Sequence, residues 1–144
     1  MNRRWPVQRQ YTQQGNFLTV ADPGNRLDLS QGAFTFYAFV WPTLLNAGRQ
    51  VLLGRWDLSA QRGAALGLDA QCRLEFWVGD GTRTDAVASE LPLMAQLWYF
   101  VAASFDPASG QATLHQVPVI NRYNSLLGHV VPLQAESHVQ MTLR

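Results

Sequence analysis

Apolar residues along this chain recur at alternate positions in short runs, and nowhere does the i, i+3, i+4, i+7 spacing of a helix persist. The runs are rich in β-branched and aromatic residues and are bounded by Gly, Pro, Asp, Asn and Ser, which is the pattern of short strands joined by turns. Eight strands are predicted: Asn16–Ala21, Ala33–Trp41, Val51–Trp56, Ala64–Asp69, Arg73–Gly79, Arg83–Ser89, Trp98–Phe105 and Gln111–Val117. Asp22-Pro23-Gly24-Asn25 closes the first, and Asp106-Pro107-Ala108-Ser109-Gly110 turns the chain between the last two. Asp80-Gly81 marks a hairpin, since glycine removes the steric penalty at positive φ.

The faces of these strands carry more information than their ends. In Arg73–Gly79, Leu74, Phe76 and Val78 share one face, while Arg73, Glu75 and Trp77 share the other. In Ala33–Trp41, Phe34, Phe36, Ala38 and Val40 lie on one face, and Thr35, Tyr37, Phe39 and Trp41 on the other. Both faces of that strand are largely apolar, which predicts a place inside a covered sheet. Pro118–Arg144 is less regular, and no strand is assigned there. Strands at this spacing make an all-β sandwich or barrel, here an antiparallel two-sheet β-sandwich. The length suits one domain, with residues 1–14 as an N-terminal arm and 15–144 as the domain.

Composition narrows the class of function. The chain is 47% apolar and only 15% charged, enough apolar surface for a packed core. A net charge of +1 gives no field to draw nucleic acid or an anionic membrane. Every basic residue is Arg, the side chain suited to planar, bidentate pairing. Cys72 is the single cysteine, so no disulfide framework is expected. No stretch has the length of a membrane span, and Met-Asn-Arg-Arg-Trp-Pro leads into no apolar run. These features together favour a reducing, cytoplasmic setting.

Several segments in order resemble the laminin-G-like branch of the concanavalin A-like jelly rolls. They are Gly15–Val20, Leu27-Asp28-Leu29, Ala33–Pro42, Gln50–Arg55, Arg73–Val78, Leu97–Asp106 and Gly110–Leu114. A narrower resemblance starts at Gln116-Val117-Pro118-Val119-Ile120-Asn121-Arg122-Tyr123-Asn124-Ser125-Leu126-Leu127, which is similar to a loop in the large subunit of N,N-dimethylformamidase and its bacterial relatives. The resemblance implies a jelly roll attached to a separate catalytic region that hydrolyses a small amide at a protein-bound iron. No segment here matches that region, so no catalytic residue carries over. The resemblance also implies closing strands beyond the long loop, one with a Phe-x-Gly-x-Ile-Asp pattern, which the sequence lacks. The jelly roll is therefore expected to be incomplete at its C-terminal end, with open strand edges available for pairing.

Candidate chemistry is sparse. Asp57, Asp69, Asp80 and Asp85 sit near strand ends, where clustered oxygens could hold calcium, although Asp beside Gly or Pro ordinarily serves turn geometry. His115, His129 and His138 lack the spacing of a transition-metal site. Arg73 beside Cys72 would lower the thiol pKa, but no oriented base can be assigned to it. Glu75 has Arg73, not an acid, two residues before it, against the paired carboxyl groups of a glycoside hydrolase. Trp98 is expected in the core, whereas Trp56 and Trp77, near strand ends, are the candidates for stacking a ligand. The loop Asn121-Arg122-Tyr123-Asn124 carries donors and acceptors suited to a neighbouring domain, or to tying the loop down.

The expected function is a noncatalytic accessory or interaction domain, with no cofactor and no metal of its own. Its partner would be the catalytic domain or subunit of an amidohydrolase, or a second copy meeting it through open edges. The alternative is a carbohydrate-binding module. Amide hydrolysis by this chain alone would require a metal site that the sequence does not display.

Overall fold

The computed structural model describes residues 17–45, 47–119 and 137–143. They contain eight strands: β1 (Phe34–Val40), β2 (Gln50–Asp57), β3 (Arg62–Leu68), β4 (Arg73–Asp80), β5 (Thr84–Pro92), β6 (Tyr99–Asp106), β7 (Gln111–Pro118) and β8 (Ser137–Thr142). They form two four-stranded antiparallel sheets, ordered β1-β6-β7-β8 and β2-β3-β4-β5. The all-β sandwich expected from the alternation is what the chain forms.

The period of two explains the layering. Phe34 and Phe36 from β1, Tyr99 and Val101 from β6 and Leu114 from β7 point inward from one sheet. Leu66, Leu74, Phe76 and Val87 meet them from the other. Phe76 joins the two layers, with ring centroids 6.3 Å from both Phe34 and Phe36 and 6.0 Å from Phe105. Tyr99 is buried, and its hydroxyl accepts from the Met94 N–H at 3.1 Å, which lets a polar atom sit in the core.

The hairpins share one device. Asp57, Asp69, Asp80 and Asp106 each stand at or beside a strand end, and each accepts backbone N–H groups two to four residues on. Three of these turns end in a left-handed residue immediately before the returning strand: Gln61 (φ 49°), Cys72 (φ 62°) and Gly110 (φ 70°). A turn followed by one left-handed residue matches the twist of the strands it joins.

One irregularity has its own remedy. The β4–β5 register shifts between Arg73 and Glu75. The Leu74 N–H there donates to Ser89 Oγ at 3.0 Å, and the Ser89 hydroxyl donates to the Leu91 carbonyl at 2.8 Å. A buried side chain thus replaces ladder bonds that the bulge removes.

Three expectations change. Residues 17–21 of the first run form no strand, and Phe17, Leu18 and Val20 are exposed. The C-terminal segment is not wholly irregular, since Ser137–Thr142 pairs along β7 as a fourth strand. Its Val139 packs on the core, which one Val between His138 and Gln140 did not announce. Finally, among the described residues β1 is an edge strand with Tyr37 and Phe39 exposed on one face, not a strand inside a covered sheet.

Candidate functional site

Three surfaces could carry function. The first is a cleft of about 780 Å³ at the end of the sandwich bearing the β2–β3 and β4–β5 turns. Phe34, Ala64, Val78 and Phe105 form its apolar floor, and Asp28, Arg55, Asp57, Arg62, Asp80 and Asp85 are among its polar walls. Most of these charges already have work. Asp57 accepts from Ser59 and Ala60, and Asp80 from Thr82 and Arg83. These bonds favour the ionised forms, holding the Asp57 carboxyl below the usual range and the Asp80 carboxyl at about 2. Asp28 is held low in the same way by Ser30 and Gln31. Arg83 pairs with Asp85 at 2.9 Å, and Arg55 donates to Asn25 at 2.6 Å.

The second surface is the outer face of β2-β3-β4-β5. Trp56 and Trp77 meet edge to face at 6.4 Å, the Trp56 ring reaching across β3 to Gly79 of β4 and the Trp77 ring lying by Gly67 of the adjacent β3. A Cβ on Gly79 would come within 2.7 Å of the Trp56 ring, and one on Gly67 within 2.8 Å of the Trp77 ring. Glycine at these positions is what lets the indoles settle on the sheet. The Arg49 guanidinium lies 5.1 Å over Trp77 and pairs with Glu75 at 2.9 Å. Trp77 is consequently only 3% exposed, while Trp56 is half-buried. Glu75 is buried as well, and its Oε2 has no hydrogen-bond partner.

The third surface is the outer face of β1-β6-β7-β8. Strand register arranges it in rungs: Phe39 beside Phe100 and Val117, then Tyr37 beside Ala102, His115 and His138, then Thr35 beside Ser104, Thr113 and Gln140. Trp41 and Trp98, 5.4 Å apart, extend the aromatic end. Trp98 therefore lies on this face and is partly exposed, not in the core. Phe100 packs against Phe39 at 5.5 Å and Tyr37 at 6.3 Å. Tyr37 and Phe39 nonetheless remain 66% and 64% exposed. None of these face residues is an Asp, Glu, Lys or Arg. At the polar side, His115 Nδ1 and His138 Nδ1 are 3.0 Å apart, and burial together with the neighbouring imidazole pushes the His115 pKa down.

The family assignment agrees with this architecture. Residues 12–116 match the pattern of the concanavalin A-like lectin/glucanases superfamily, within its laminin-G group. The chain belongs to this superfamily. Within it, the chain is 43% identical over 137 residues to the N,N-dimethylformamidase beta subunit of Paracoccus aminophilus, and 39% identical over 137 residues to that of Alcaligenes sp. Each match covers 94% of this chain but 18% of the relative, so the chain spans less than a fifth of the length of these curated relatives.

In this concanavalin A-like frame the residues singled out by sequence are scattered. Asp57, Asp80 and Asp85 border the cleft, but Asp69 lies elsewhere, holding Arg73 at 2.7 Å. Among the described residues no three His, Cys, Asp or Glu side chains come together to hold a metal. His115 and His138 are brought together by the β7–β8 register, a pairing hidden while β8 went unassigned. His129 and the loop Asn121, Arg122, Tyr123 and Asn124 lie outside the described residues. The Cys72 thiol donates to the Leu45 carbonyl, and burial together with the nearby Asp69 charge raises its pKa, contrary to the lowering expected from Arg73.

Proposed function

We propose that this chain is a noncatalytic interaction module of an N,N-dimethylformamidase-type subunit, packing against the region that performs amide hydrolysis. The observation that carries this reading is the pair of coverages. Relatives named for that enzyme match 94% of the chain, yet the match accounts for only 18% of them. The geometry lends support, because the cleft carboxylates bind their own turns and Glu75 is covered by Arg49.

The reading gives the chain no cofactor of its own, calcium included. Asp57 and Asp80 are engaged by backbone N–H groups, and Asp69 and Asp85 face Arg73 and Arg83. The Asn121-Arg122-Tyr123-Asn124 loop is a further contact to the partner region in this reading. A cytoplasmic setting belongs to it too, supported by the buried, unpaired Cys72 thiol.

The test compares dimethylamine release from N,N-dimethylformamide by three preparations. They are this chain alone, the Paracoccus subunit deleted of its matching 137 residues, and that subunit with this chain in their place, each supplied with its companion subunits. The chain alone should release none, and inserting it should restore activity that the deletion loses. Hydrolysis by the chain alone, or full activity in the deleted subunit, would remove the reading. Glycan binding abolished by Trp56→Ala would replace it with a lectin role.

A further inference from the structure

We infer that the outer face of β1-β6-β7-β8 is the surface on which the rest of a formamidase-type subunit docks, with Tyr37, Phe39 and Phe100 as its anchors. This rests on the interaction-module reading and specifies which of the sandwich's surfaces is used.

Three observations point to this face. First, the sequence gives β1 two apolar faces, the signature of a strand covered on both sides, yet among the described residues only one is covered. Tyr37 and Phe39 are left in solvent beside Phe100. Second, the face is rich in aromatics and free of the four charged residue types from the Trp41–Trp98 end to the Thr35–Gln140 rung, the composition of an interface centre, and a charged residue, Asp106, enters only at the outermost rung beside Gln111 and Thr142. The opposite sheet differs, because its indoles are seated on glycines and Trp77 is capped by Arg49. Third, the polar residues on the face, Thr35, Ser104, Thr113, His115, His138 and Gln140, gather on its far rungs, away from Trp41 and Trp98. A docked surface would meet an apolar centre with a hydrogen-bonding rim.

Size selects the occupant. Four strands about 4.8 Å apart and four side-chain rungs about 6.8 Å apart make a face of about 500 Å². Two such faces in contact bury about 1,000 Å², short of the 1,200–2,000 Å² typical of a stable complex between separate molecules. That area suits contact between domains of one polypeptide, where the linker supplies a high effective concentration. The relatives carry more than four-fifths of their length outside the matching segment, ample for such a domain. A second copy would have to hold on with the same small patch and no linker.

The test reads solvent access at the face in the assembled protein. Phe39→Cys and, separately, Tyr37→Cys are made in this chain and in the Paracoccus subunit carrying this chain in place of its own 137 residues. Leu58→Cys, at an 83% exposed turn site away from the face, is the control. Cys72 is replaced by Ala in all of them, and thermal unfolding confirms that each folds. Labelling by a thiol reagent at positions 37 and 39 should be about tenfold or more slower in the whole subunit than in the isolated chain. The control should label alike in both. Equal labelling at 37 and 39 with protection at 58 would overturn the face while leaving the module reading standing. Equal labelling at all three would sink both, since the sandwich would then touch nothing. Protection already present in the isolated chain and relieved by dilution would assign the face to a second copy and overturn the proposal.

Discussion

Replacing Ser89 by Ala removes one oxygen from a site that is 1% exposed. That oxygen accepts the Leu74 N–H at 3.0 Å and donates to the Leu91 carbonyl at 2.8 Å, where the β4–β5 ladder breaks register. Alanine leaves the amide stranded in the core with no room for water. An unsatisfied buried donor costs about 1–3 kcal/mol, and the carbonyl loses a partner too, so we expect about 2 kcal/mol of destabilisation. For a chain of 144 residues that corresponds to a drop of about 5–8 °C in Tm. Urea unfolding followed by tryptophan fluorescence would measure it, and amide exchange would locate it, with the Leu74 N–H exchanging faster than its β4 neighbours. Ser104→Ala, which breaks only the exposed 2.9 Å contact with Thr35, should fall within about 0.5 kcal/mol of wild type. If the two variants were equally stable, or if Leu74 kept its protection, the hydroxyl would not be replacing the ladder bond.

Phe76→Ala should destabilise the fold by about 3–5 kcal/mol in the same denaturation experiment, because the ring is buried and contacts aromatics of both sheets. His115 has its pKa lowered in the fold from 6.5, so the unfolded chain takes up its proton first. Stability should therefore be constant above about pH 7 and fall as pH drops through 6.5 and below, a slope that His115→Gln should flatten in urea titrations at stepped pH. Asp80 is the counterpart in acid, with a folded pKa of about 2 against an ordinary 3.8. Its contribution to the β4–β5 turn should be complete above pH 4 and lost as pH falls towards 2, seen as chemical-shift changes at the Thr82 and Arg83 amides.

What the chain disclosed in advance follows from where its signals are local. Alternation in Arg73–Gly79 and the Asp80-Gly81 turn needed only neighbours in sequence, and both appear in the fold. The strand-end aspartates were visible as well, but residue type alone cannot tell a turn acceptor from a cation ligand. The bonds to Ser59, Thr82 and Arg83 make that distinction. The Trp77 indole looked available because nothing local shows that Gly67 lets it lie down and Arg49 covers it. The His115–His138 pair was invisible for a related reason. It depends on register across 23 residues, through a six-residue strand whose β-branched residues are only Val139 and Thr142. The two apolar faces of β1 predicted cover on both sides, but among the described residues β1 is an edge strand with Tyr37 and Phe39 exposed, because strand order is not written in local alternation.

The strand order also dictates a timetable. β2 to β5 form a meander in which each strand pairs with the one just made. β1 is different, since its partner β6 begins almost 60 residues after β1 ends. On a ribosome adding about 5–20 residues per second, β1 waits about 3–12 s with both aromatic faces unpaired. Closing so long a loop is also the slowest kind of contact to form. Of the described strands, the one that presents Tyr37 and Phe39 is thus the first to emerge and among the last to be fixed. Yield on expression should be governed by what shelters β1 during that interval, through chaperone supply or slowed translation, more than by the stability of the finished sandwich.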